Sequence, residues 1–78
     1  MLSQEGYRNV RIPQLIKFGI DVRAAIFIAD TEHHDHTGPI ASLERLDREP
    51  KLEGRVVTIA RTGIRLVFED GAWRIPKE

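Results

Sequence analysis

Residues 55–75, RVVTIARTGIRLVFEDGAWRI, read as three consecutive antiparallel strands: Arg55 to Ala60, Ile64 to Glu69 and Ala72 to Ile75. Asp70-Gly71 is a strong two-residue hairpin signal, because both central positions of such a turn need a positive φ. A loop of that length sets Phe68 opposite Trp73 and Leu66 opposite Ile75. Directly opposed residues share a face, so Ile64, Leu66, Phe68, Trp73 and Ile75 form one apolar surface. The preceding turn, Arg61-Thr62-Gly63, has two solutions. A two-residue turn at Thr62-Gly63 adds Val57 and Ile59 to that surface. A three-residue turn with Gly63 in a bulge adds Val56, Thr58 and Ala60 instead. The first gathers more apolar area and is preferred. The opposite face then carries Thr58, Arg65, Val67, Glu69 and Arg74.

Working back from the meander, Asp21 to Asp30 alternates Val22, Ala24, Ile26 and Ile28 with Ala25, Phe27 and Ala29. Apolar residues on both faces predict a strand buried on both sides, Val22 to Ala29, at the centre of the sheet. Before it, Pro13 opens a short helix to Phe18, and Gly19 ends it. After it, Gly38-Pro39 starts a helix in which Ile40, Leu43 and Leu46 recur every three residues, and Glu49-Pro50 stops it. A strand from Pro39 to Leu46 is the rival. The expected fold is therefore α+β: one small domain over residues 1–78, a curved antiparallel sheet of about four strands, and one or two short helices. A small five-stranded SH3/Sm-like barrel is the alternative. The expected core holds Ile26, Ile28, Val57, Ile59, Leu66, Phe68, Trp73 and Ile75.

Composition agrees with one globular unit. The 78 residues are 41% hydrophobic and 31% charged, and twelve basic against twelve acidic residues give a formal net charge of zero. That balance argues against a strongly basic nucleic-acid binder. The chain has no cysteine, which excludes disulfides, thiolate metal sites and cysteine nucleophiles. No apolar run approaches the roughly 18 residues of a membrane span, and Met1 to Val10 is too polar for a signal peptide. A cytoplasmic location and no membrane partner are expected.

All three histidines fall in Asp30-Thr31-Glu32-His33-His34-Asp35-His36. Imidazole and carboxylate ligate zinc, nickel or copper, so His33, His34, Asp35 and His36 are the candidate metal ligands, with zinc the natural ion. A solvated loop without metal is the plainer expectation, because a closed site normally draws ligands from two separated elements. The run Ile26-Phe27-Ile28 followed by His33-His34-Asp35-His36-Thr37-Gly38 resembles the strand and metal loop of the metallo-β-lactamase superfamily, with its motif HxHxDH. His33, Asp35 and His36 match the second His, the Asp and the last His, while Thr31 stands at the first. The family's further histidine ligands have no counterpart in this chain, and no activity is carried over from so short a stretch.

Catalytic motifs are lacking. Ser3 and Ser42 lie in no nucleophile-elbow context, and neither phosphate-binding glycine motif occurs. No catalytic residue or organic cofactor is assigned, and the chain is expected not to be an enzyme. Charge is distributed unevenly, at plus two over residues 1–29, minus four over 30–53 and plus two over 54–78. Arg61, Arg65 and Arg74, with Thr58 beside them, are the candidate binding surface. The expected function is non-catalytic association with a protein partner or with a second copy. The alternatives are nucleic-acid binding through the arginine-bearing face and metal binding through the histidines. Arg55 to Ala60 is the better edge for an added strand, because Ala72 to Ile75 is short and flanked by Arg74, Pro76 and Lys77.

Overall fold

Ser3 accepts a hydrogen bond from the Gly6 amide through its hydroxyl, at 3.1 Å, and so caps the first helix, α1 (Gln4–Lys17). Its inward stripe is Tyr7, Arg11, Leu15 and Phe18, spaced four, four and three residues apart as a helical face requires. Pro13 lies inside this helix rather than at its start. Asn9, whose carbonyl loses its donor there, is exposed along with Pro13, so water can take the donor's place. The computed structural model describes residues 3–36, 38–60 and 62–76.

Residues 21–30 are not a strand. Asp21 caps a second helix, α2 (Val22–Asp35), by accepting from the Arg23 amide at 3.1 Å. Ala24, Ala25, Ile28, Ala29 and Glu32 are its buried positions, a 3.6-residue stripe, and three of the five are alanine. Alanine favours helix and is poor in strands, and its small side chain lets α1 and α2 approach closely. The fourth strand of the sheet is thereby lost. What remains is one parallel bridge between Ile20 and Trp73.

After α2 the chain forms a 3₁₀ helix, Ala41–Arg48. Ile40, Leu43 and Leu46 are all buried. Their three-residue spacing is that of a 3₁₀ helix, in which such side chains eclipse. The rival strand over Pro39 to Leu46 is absent, and with it the five-stranded barrel.

The meander folds as the sequence indicates, with shorter strands: β1 (Val56–Thr58), β2 (Arg65–Glu69) and β3 (Ala72–Arg74), in spatial order β1-β2-β3. Asp70 and Gly71 take φ of 52° and 80° in a two-residue turn that pairs Phe68 with Trp73. Their rings meet edge to face at 5.2 Å. β3 stops at Arg74, one residue short of the expected Leu66–Ile75 pair. At the other hairpin Val57 pairs with Leu66, not Phe68. The register therefore differs by two residues from a Thr62-Gly63 turn. A two-residue shift preserves the faces, so Ile59 is buried and Val57 half-buried on the core side as expected. The alternative that put Val56, Thr58 and Ala60 inward is excluded, since all three are exposed.

The fold is thus α+β, three helices and a three-stranded antiparallel sheet among the described residues. Of the expected core, Ile28, Ile59, Leu66, Phe68 and Trp73 are buried, whereas Ile26, Val57 and Ile75 are partly exposed. The helices supply the rest through Leu15, Ile20, Leu43 and Leu46.

Candidate functional site

The two edges of the sheet differ. Beside β3, the Trp73 amide donates to the Gly19 carbonyl and the Asp21 amide donates to the Trp73 carbonyl, both at 2.8 Å. Gly19 takes a φ of +90° there, which a residue with a Cβ resists, and lies against the Trp73 ring. Arg74 ties the same edge by donating from Nη1 to Asp21 Oδ1 at 2.9 Å. That edge is closed.

Beyond β1 no strand follows among the described residues. Gly54 and Arg55 both face Phe68: the Gly54 amide donates to the Phe68 carbonyl at 2.8 Å and the Phe68 amide to the Arg55 carbonyl at 2.9 Å. With Gly54 at φ +85°, this is a glycine bulge that launches the strand. At the other end the Ile59 amide donates to the Ile64 carbonyl at 2.7 Å. The odd-numbered residues 55, 57 and 59 thus bond inward to β2. By the alternation of an antiparallel ladder, the amides and carbonyls of Val56 and Thr58 point outward. Both residues are exposed, Val56 to 54%.

Next to this edge lies a groove of about 1080 Å³ across the outer face of the sheet. Val67 forms its floor and Val56 its β1 rim, while Val22 and Phe27 of α2 form the far wall. Val22 and Phe27 are half exposed, at 50% and 51%. Sequence reasoning placed both in a buried strand and so missed this wall. The helical stripe of Ala24, Ala25, Ile28 and Ala29 was the signal, since it leaves both of them off the core face.

Among the expected surface residues, Thr58 and Arg65 sit directly opposite each other, as do Val67 and Arg74, all on the outer face. Arg74 is engaged by Asp21 and by the Glu69 carbonyl, the latter at 3.0 Å. Arg65 makes no ion pair with a described residue. Glu69 and Asp70 line the groove as well, so it carries both signs of charge. Arg61 lies outside the described residues.

The histidines are not in a loop between a strand and a helix. His33, His34 and Asp35 form the last turn of α2, and His36 caps it with a φ of 55°. The metallo-β-lactamase-like strand and metal loop is therefore absent, because its strand is helix. The His33 ring lies 5.8 Å from that of Tyr7 and 6.4 Å from that of His36. His34 is exposed, with its Nδ1 3.2 Å from Asp35 Oδ1. No three metal-ligating side chains converge among the described residues.

One polar cluster was not anticipated. Glu32, 1% exposed, receives four donors. Its Oε1 accepts from Arg11 Nε at 2.8 Å and from the Tyr7 hydroxyl at 2.9 Å. Its Oε2 accepts from Arg11 Nη2 at 3.0 Å and from the Ile40 amide at 2.8 Å. All four lone-pair positions are filled, so the carboxylate holds α1, α2 and the entry to the 3₁₀ helix together and offers no face to a substrate. Nearby, the Arg8 guanidinium donates twice to Asp30 and holds its carboxyl below the usual carboxylate range.

Burial, then the hydrogen bond to Glu32, pushes the Tyr7 hydroxyl up from 10.0 to about 12. A raised folded-state value stabilises the fold fully below the unfolded value and ceases to do so as pH rises through the folded one. Absorbance of the lone tyrosine at 295 nm is therefore expected to stay flat past pH 10 in the folded chain. It should rise near pH 10 in urea. Alkaline unfolding should begin between those limits and shift upward in Tyr7→Phe. An ordinary tyrosine titration in the folded chain would refute the Tyr7–Glu32 bond.

Comparison with protein-family models, with curated proteins and with solved structures returns no match to this chain. Among the described residues no helix is long and apolar enough to cross a membrane.

Proposed function

We propose that this chain is a non-catalytic association module that engages a protein partner by strand addition to β1. The observation that carries the reading is the outward-facing backbone of Val56 and Thr58 at a sheet edge unpaired among the described residues, beside a groove of mixed apolar and charged lining. Strand addition uses main-chain hydrogen bonds for affinity and neighbouring pockets for selectivity. The groove between Val56 and Phe27, with Val67 on its floor, offers such a pocket, and it is lined too by Arg65, which pairs with no described residue. Nucleic-acid binding has weaker support, since Glu69 and Asp70 in the same groove repel phosphate. The histidines offer a metal one helix end rather than a closed site. The module is proposed to act in the cytoplasm.

A titration of the isotope-labelled chain with an extended peptide of alternating threonine and valine tests this. The amide resonances of Val56 and Thr58 should shift first, and Thr58→Pro should abolish the response, because proline removes an outward donor. Shifts centred on other elements, or none, would refute strand addition.

A further inference from the structure

Resting on the strand-addition reading, we propose that the partner at β1 is a second copy of this chain, paired antiparallel about a two-fold axis that passes beside Val57. The outward groups belong to Val56 and Thr58, flanking Val57 symmetrically. Antiparallel pairing of two such edges places Val56 opposite Thr58 of the partner subunit, and Thr58 opposite the partner's Val56. Each of these pairs exchanges two backbone hydrogen bonds, giving four across the seam, while Val57 faces the partner's Val57 without bonds. No other sequence is needed to satisfy the edge, because β1 is complementary to itself.

The side chains agree with this register on both faces. On the outer face, Val56 is 54% exposed and neighbours Val67, so the seam gathers four valines around the axis. On the inner face, Val57 is only half covered in the single chain and continues the row begun by Leu66. Edges kept from pairing usually carry proline or an unbalanced charge. Residues 55–60 include neither, for their one charge, Arg55, donates to Glu49 at 2.9 Å and 3.1 Å. Two copies of a chain with no formal net charge do not repel each other at long range. The opposite edge is closed by Gly19 and Asp21, so pairing ends at two copies and one six-stranded sheet rather than propagating.

A seam of this length buries less than the roughly 1,200–2,000 Å² of a tight complex, so exchange between one and two copies is expected at micromolar or higher concentration. Sedimentation of the chain from 5 μM to 1 mM should carry the mass from 8.9 kDa toward twice that value. Thr58→Pro should stay at the single-chain mass throughout. Its far-ultraviolet spectrum should be unchanged, since the Thr58 amide serves no bond to β2. Val56→Lys provides a second variant that keeps every backbone donor and should weaken pairing at least tenfold. A dimer that both variants leave intact would overturn the β1 seam. A single-chain mass at 1 mM, with Val56 and Thr58 still responding to the threonine–valine peptide, would overturn the second copy and leave strand addition standing. A single-chain mass with no peptide response would overturn both.

Discussion

Replacing Glu32 with alanine is expected to remove a large fraction of the chain's stability at 25 °C. The substitution strips Arg11, 5% exposed, of both of its carboxylate bonds and leaves a guanidinium inside the helix pair. It also orphans the Tyr7 hydroxyl and the Ile40 amide. Breaking a buried ion pair by removing one partner costs about 3–5 kcal/mol. A domain of this size is stable by roughly 4–12 kcal/mol, at 0.05–0.15 per residue. Circular dichroism in urea should show the transition moved toward zero denaturant or lost. Glu32→Gln should fall between wild type and alanine, because an amide nitrogen would then face a donor. The triple variant Tyr7→Phe, Arg11→Met, Glu32→Leu should fold, since apolar replacement of the whole cluster leaves nothing desolvated and unpaired. A Glu32→Ala chain with an unchanged midpoint would show that the cluster holds nothing together.

Trp73→Ala is the second large effect. Trp73 is fully buried, meets Phe68 edge to face, and lies on Gly19 at the junction of helices and sheet. Truncating so large a side chain costs about 3–5 kcal/mol in lost contacts and residual cavity. The backbone bonds to Gly19 and Asp21 survive the change, so the loss isolates packing from pairing. Trp73→Phe should cost less than about 2 kcal/mol, because the buried indole N–H has no acceptor among the described residues and its removal offsets part of the lost area. Denaturant midpoints read by circular dichroism rank the two. If phenylalanine proved as damaging as alanine, the indole would have a partner after all.

These two side chains also mark where the sequence is legible and where it is not. Asp70-Gly71 and the alternation around it place Trp73 correctly, because a tight turn fixes register locally. Ile40, Leu43 and Leu46 likewise announce their helix. The helix pair is hidden by the very cluster that joins it. Arg11 and Glu32 occupy inward positions on α1 and α2, so a polar–apolar reading breaks each stripe in the middle. With Glu32 scored as polar, residues 22–29 look like a strand with two apolar faces. The Glu32 contact that would repair the pattern comes from Arg11, 21 residues away, and no local window contains it. The candidate site divides in the same way. The β1 edge and Arg65 follow from the meander alone, while the Val22 and Phe27 wall depends on α2 and stays hidden with it.

The clasp of Gly19, Ile20 and Asp21 on β3 has a consequence for the order in which the chain acquires structure. Arg74 and Asp21 are 53 residues apart, and Trp73 meets Ile20 across the same span. Ribosomal synthesis delivers α1 and α2 first, yet the strand that completes their core arrives among the last described residues. Until then the core that Leu15 and Ile28 share with Trp73 lacks its largest side chain, and helix pairing alone must hold the emerging segment. Long loop closure of this kind slows folding, because chain entropy is spent before the contact rewards it. Completion of the helix core accordingly waits for β3. A nascent chain arrested before Ala72 should remain open to protease throughout its first two helices, and release of the remaining residues should protect both helices together.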